Sequence, residues 1–175
     1  MIAAVVLAAG AATRFGGPKQ RLLVPSVLAR LAESPVDDVV VVVGAHELGP
    51  TEARVVECPD WALGQGASLR CGLAALSPET EAAVVVLGDG PNLAPAAVER
   101  VLDAWRAGST DAVAASYGGE RGHPVVLGRP AWGGVPDEGM RALPARLVPC
   151  DDLGTPGDVD TADDIGRLHP PLNGN

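Results

Sequence analysis

The chain has 175 residues, with 22 acidic against 13 basic side chains and a net charge of −9. That length suits one folded domain with its own core. The acidic balance excludes broad binding to nucleic acid or to an anionic membrane, since both need a basic face; an acidic protein that holds an anion must gather its few cations, or a divalent metal, at one place.

The first apolar run, Ile2 to Leu7, reads as a strand buried on both faces of a parallel sheet. No basic segment precedes it and the run is short, so it is not a signal peptide. No stretch is long enough to span a membrane, and the chain reads as soluble and cytoplasmic. From Leu7 to Lys19 follows a loop of small residues. Gly10 ends the strand, Gly16 and Gly17 bend the chain again, and Arg14 and Lys19 are the loop's only charges. Two cations and exposed N–H groups in a mobile loop suit a polyphosphate. The same residues also fit a strand-to-helix turn with two solvated basic side chains. Neither G-x-x-x-x-G-K-[ST] nor G-x-G-x-x-G is present.

Residues 20–33 read as a helix, with Val27, Leu28 and Leu31 at helical spacing and Pro25 in the first turn. Val39 to Val43, five valines, is a buried strand that ends at Gly44. The connection over 44–53 is short and broken by Gly49-Pro50, so little or no helix is predicted before a third strand, Arg54 to Glu57. A loop from Pro59 leads into a helix with Leu69, Leu73 and Leu76 on one face. Ser68, near its start, either caps the helix or offers N–H and hydroxyl groups to a base or ribose. The three cysteines, Cys58, Cys71 and Cys150, are widely spaced without C-x-x-C. They predict neither a zinc site nor a disulfide framework, and read as small hydrophobes in a reducing compartment.

Ala83 to Leu87 is a further strand, closed by Gly88-Asp89-Gly90-Pro91. A carboxylate just past a central parallel strand is where α/β sheets place ligand chemistry, and Asp89 would be a hard oxygen ligand for Mg²⁺. An aspartate beside Gly and Pro also simply forms turns. Ala94 to Ala107 is a helix with Val98, Val101, Leu102 and Trp105 as its core stripe. A strand over 111–116 and a turn from Tyr117 to Arg121 precede the strand Gly122 to Leu127, which carries His123. Residues 128–144 are rich in Gly and Pro, with a short helix at 138–143, and a late strand covers 146–148. Asp158 and Asp160 share a face if that segment is extended, or favour a helix N-terminus that Thr161 and Asp164 would cap. The pattern predicts one α/β layer sandwich with a mostly parallel sheet over residues 1–168, and a frayed tail at 169–175.

Leu7, Ala8, Ala9, Gly10, Arg14, Phe15, Gly16 and Lys19 match L-A-[AG]-G-x-x-x-R-[MF]-G-x-x-K. That pattern resembles the opening motif of the MobA-like nucleotidyltransferases, which build molybdopterin dinucleotides. Trp61 to Arg70 resembles the family's W-x-x-G-x-x-x-S-L-R, Gly88 to Pro91 its G-D-x-P, Gly122 to Leu127 its G-H-P segment, and Asp158 to Thr161 its D-x-D-T. The resemblance implies a three-layer, Rossmann-like nucleotidyltransferase fold of the nucleotide-diphospho-sugar transferase type. It implies that Leu7, Ala8, Ala9, Gly10, Arg14, Lys19, Gly66 and Ser68 bind nucleotide, and that Lys19, Arg14 and Asp89 are catalytic. Asp89 and Asp160 would hold Mg²⁺, with Asp158 in reserve, and Gly122 and His123 would contact the acceptor. The implied reaction transfers CMP from CTP to molybdopterin and releases pyrophosphate, with a molybdoenzyme or chaperone as a possible partner. In the family L-A-A-G accompanies cytidine and L-A-G-G guanosine, so Ala9 points to CTP. Gly90 replaces a common Gln, and the 44–53 connection is trimmed. The alternatives are a guanylyl- or cytidylyltransferase with GTP or another phosphorylated acceptor, and a non-catalytic relative that binds nucleotide or pterin.

Overall fold

Alternate residues of the same apolar strands fill two separate cores, one on each side of a sheet. The computed structural model describes residues 1–11 and 19–157. Its strands are β1 (Ile2–Leu7), β2 (Asp38–Val43), β3 (Arg54–Glu57), β4 (Ala82–Leu87), β5 (Ala112–Tyr117), β6 (Glu120–Gly128) and β7 (Arg146–Pro149). They form one sheet in the order β3-β2-β1-β4-β6-β5-β7. Only β6 runs against its neighbours, and every other pairing is parallel. Three helices cover it: α1 (Lys19–Ala32), α2 (Gln65–Ala74) and α3 (Pro95–Ala107).

In β1, Ala4 and Val6 pack with Val24, Val27 and Leu31 of α1, and the same layer takes Val98, Val101 and Leu102 of α3. Ala3, Val5 and Leu7 point the other way, onto Leu69 and Leu73 of α2 and onto Val135 and Met140. This period-two division is why the strands read as unbroken apolar runs and why the fold has three layers. Helix α2 lies so close that a Cβ on Gly72 would stand 2.6 Å from Cγ1 of Val5. Among the described residues no helix is long and apolar enough to cross a membrane.

Strands β1 and β3 have the bounds the sequence predicted, and residues 44–53 hold no helix. Five expectations need correction. The first described residue of α1 is Lys19, so Pro25 lies inside the helix and not in its first turn; it removes one N–H from the helical ladder while Val24 and Val27 beside it keep the face buried. Lys19 itself is a buried helix residue, 8% exposed, not a solvated loop cation. Trp105 is only partly buried, lying over Gly128 at the margin of the core. Cys58, just past β3, and Cys71, on α2, form a disulfide with Cα atoms 5.7 Å apart. They stand 13 positions apart in sequence, and the packing of α2 beneath β3 brings them together. Cys150 is free and buried, as expected. The predicted 138–143 helix is a single 3-10 turn, Met140–Ala142.

Candidate active site

From β1 the chain builds β2 and β3 on one side and then crosses to β4 on the other. Open α/β sheets bind ligands at such a reversal, beyond the carboxyl ends of the two diverging strands. Gly88 fixes this junction. Its N–H donates to the Leu7 carbonyl at 2.9 Å, and a Cβ there would stand 3.0 Å from that of Ala8. The next residue, Asp89, projects from the end of β4 towards α1. Lys19 Nζ donates to Asp89 Oδ2 at 2.8 Å, with the two side chains 10% and 25% exposed. Residues 70 positions apart thus meet at the sheet's reversal.

The start of the first loop is held by its carbonyls. Those of Ala9, Gly10 and Ala11 accept from Ala45 N at 3.1 Å, Gln20 Nε2 at 2.8 Å and His46 Nε2 at 2.9 Å. The N–H groups of Gly10 and Ala11 donate to no other described residue. Backbone held in that sense presents donors, as an anion site requires. Leu7, Ala8 and Ala9 are buried, and Gly10 is exposed. Gln20 and His46 were missed from sequence. A polar residue directly after Lys19, on the buried face of an otherwise apolar helix, was the one available signal, and nothing marked His46.

Arg14, Asp158, Asp160 and Thr161 lie outside the described residues. The described chain ends at Gly157, against the Asp89 turn: Pro156 O accepts from Asn92 N at 2.9 Å. A Cβ at Gly90 would stand 3.1 Å from Cβ of Pro156. A side chain here would therefore require Pro156 to shift by a few tenths of an ångström. Gly66 and Ser68 are buried at the start of α2. A Cβ on Gly66 would come within 2.0 Å of the Pro136 carbonyl, so the 136–139 turn sits directly over this helix start. Arg70 ties that turn down through Asp137 at 2.7 Å and the Val135 carbonyl at 3.0 Å.

A second polar cluster lies around β6. Ala114 pairs with Val125 and Ser116 with Arg121, so Ala115 alone faces Gly122, His123 and Pro124. The three residues bulge from a central strand. Proline cannot complete a central ladder, so Pro124 was the signal for this bulge. The hairpin turn is Gly118-Gly119, both with positive φ, which places the strand start at Glu120, inside the predicted turn. Gly122 admits the Tyr117 ring, since a Cβ would meet its Cδ2 at 2.8 Å. Tyr117 donates to the His123 carbonyl at 3.0 Å, and burial raises its pKa to about 12. Burial, then the positive charges of Arg121 and Arg141, push His123 down to about 4, so its imidazole is neutral at pH 7. Arg121, Gly122 and His123 line a cavity of about 310 Å³ that also meets Leu87 and Gly90 at the end of β4.

A lysine–carboxylate pair at the reversal point of a mostly parallel sheet is the arrangement of an α/β ligand-handling enzyme. Residues 4–145 match the model of the MobA-like NTP transferase domain, and the chain belongs to that family; it is a nucleotidyltransferase. Among curated proteins no sequence matches. Of solved structures, the chain is similar to Rv0371c from Mycobacterium tuberculosis H37Rv, with 32% identity over 96% of this chain and 97% of that one, and a TM-score of 0.77. A manganese complex of Rv0371c aligns at 30% identity over 95% and 97%, with a TM-score of 0.71. A nucleotidyl transferase from Methanothermobacter thermautotroptrophicus (20%, 96% and 95%, TM-score 0.75) shares the fold. So does 2-C-methyl-D-erythritol 4-phosphate cytidylyltransferase from Francisella tularensis (14%, 94% and 96%, TM-score 0.68).

Members of this enzyme class work with divalent metals. Among the described residues no three metal-ligating side chains cluster. Asp89 nonetheless fits the role, being a partly exposed carboxylate at a strand end, and hard cations such as Mg²⁺ bind through few protein oxygens and through phosphates.

Proposed function

We propose that the protein transfers CMP from CTP to a molybdopterin-type acceptor and releases pyrophosphate. The observation that carries this reading is the 2.8 Å contact between Lys19 and Asp89 at the end of β1 and β4, which gathers a cation and a carboxylate where a triphosphate would lie. The terminal phosphate of the acceptor attacks the α-phosphorus in line; the bond to the bridging oxygen breaks, and pyrophosphate leaves with the electron pair. That phosphate is already ionised at neutral pH, so no strong base is required. Lys19 would turn to the α-phosphate, where negative charge builds up, and Arg14 to the outer phosphates. The N–H groups of Gly10 and Ala11 would donate to the same anion. Asp89 and Asp160 would hold Mg²⁺, which when bound neutralises phosphate charge.

Ala9 is 5% exposed, and its methyl sits in the apolar cluster beneath α2. Cytidine preference would therefore come from the backbone path that Ala9 shapes, not from its methyl meeting the base. Pyrophosphate release with purified molybdopterin, Mg²⁺ and either CTP or GTP tests the proposal. Turnover with CTP well above GTP is expected. Turnover with GTP alone moves the protein to a guanylyltransferase, and tight nucleotide binding without pyrophosphate makes it a carrier.

A further inference from the structure

We propose that the cavity beside β6 is an anion subsite, in which Arg121 and His123 bind an oxyanion carried by the part of the acceptor that does not react. The proposal rests on the nucleotidyltransferase reading only for calling that ligand the acceptor. In a chain with 22 acidic and 13 basic residues, this cavity is lined by two arginines, Arg121 and Arg141, and by no carboxylate among the described residues. Nη2 of Arg121 and Nε2 of His123 are both buried with no hydrogen-bond partner. Buried polar atoms are nearly always paired in a finished protein, and two orphans on neighbouring β6 positions mark a place where something else completes the pairing. Arg121 Nη1 is held by the Leu143 carbonyl, which fixes the guanidinium and leaves its other nitrogen to the ligand.

The chemistry of the two groups selects the ligand. An arginine whose own protonation is disfavoured by burial gains most from an anion. His123 is neutral at pH 7, so it adds a hydrogen bond and not a second charge. Val86, Leu93, Val125 and Met140 supply apolar walls. A ring-sized body bearing one carboxylate, phosphate or similar oxyanion matches all of these features. The bulge that ejects Gly122, His123 and Pro124 from the β5 ladder puts His123 on the cavity, and Arg121 lines it from the paired position just before the bulge.

The test compares ligands of one shape and different charge by NMR of the His123 ring. Benzoate against benzamide probes the charge alone, and pterin-6-carboxylate against neutral 6-hydroxymethylpterin probes it on a pterin. The charged member of each pair should bind about tenfold or more tightly, as a charge-assisted hydrogen bond implies, and should move the ring resonances. Arg121→Gln should erase the preference, and Arg141→Gln, at an exposed position, should reduce it without disturbing the fold. Lys19→Ala should leave it intact. Equal binding of the charged and neutral partners, silence at His123 up to the solubility limit, or a preference that follows Lys19 would overturn the subsite. A parallel CTP titration separates the two readings. Loss of CTP binding with the benzoate preference retained defeats the nucleotidyl transfer and leaves the subsite standing.

Discussion

Lys19 and Asp89 meet at 2.8 Å, whereas Arg121 Nη2 and His123 Nε2, on the far side of β4, have no hydrogen-bond partner among the described residues. The first site is electrostatically matched and the second is left open. The difference follows from how each is built. The first comes from the end of β4, locked by Gly88 against Leu7, and from the start of α1, which packs on the same strands. The second comes from a bulge in the one reversed strand and from a 3-10 turn, Met140–Ala142, that brings Arg141 across. A matched pair can be redirected by an incoming phosphate. An unmatched group destabilises the ligand-free protein until a ligand reaches it.

The largest effect should come from the matched pair. Lys19→Ala or Asp89→Ala should lower pyrophosphate release by about 10²–10³, or roughly 3–4 kcal/mol in the barrier, while circular dichroism reports a native fold. Near-wild-type turnover in both variants would break the assignment of this pair to the chemistry.

Acid should act mainly on the open site. His123 is pushed down to about 4 in the folded protein, against about 6.5 in the unfolded chain. The unfolded state takes up a proton first as pH falls. The stability that neutral His123 carries is therefore present above pH 6.5 and is lost between 6.5 and 4, by roughly 3 kcal/mol at the acid end. Urea titrations across that range should reveal the slope, and His123→Gln should flatten it. An unchanged slope would place the titration elsewhere.

The disulfide lies at the β3 edge of the sheet, tying α2 to the chain after β3. Closing a loop of this size stabilises by about 3 kcal/mol in the chain-entropy account, so reductant should lower the melting temperature by roughly 5–10 °C. Scanning calorimetry with and without reductant checks this.

Two glycines sharpen the contrast at the small end. Gly122→Ala forces a methyl into the Tyr117 ring and should cost about 1–3 kcal/mol of stability in a thermal melt. It should also raise the acceptor KM more than that for CTP. Gly10 has nothing within 4 Å of its Cβ position, so Gly10→Ala should melt like wild type and instead weaken CTP binding. A destabilised Gly10→Ala would mean that the loop is packed and not open.

The sequence alone determined the strands and their parallel character, because an apolar run buried on both faces looks the same in any parallel sheet. It also placed Asp89 at a strand end, since glycine and charge directly after such a run mark where the backbone leaves the core. The family was legible for the same reason, in short motifs that need no distant partner. Tertiary structure decided the rest. The Cys58–Cys71 bond depends on how α2 crosses the sheet, the 2.8 Å lysine–aspartate contact on β4 lying next to β1, and the cavity on how many residues of β6 stand opposite Ala115. Each of these is a pairing across space, and local periodicity carries no information about which surfaces meet.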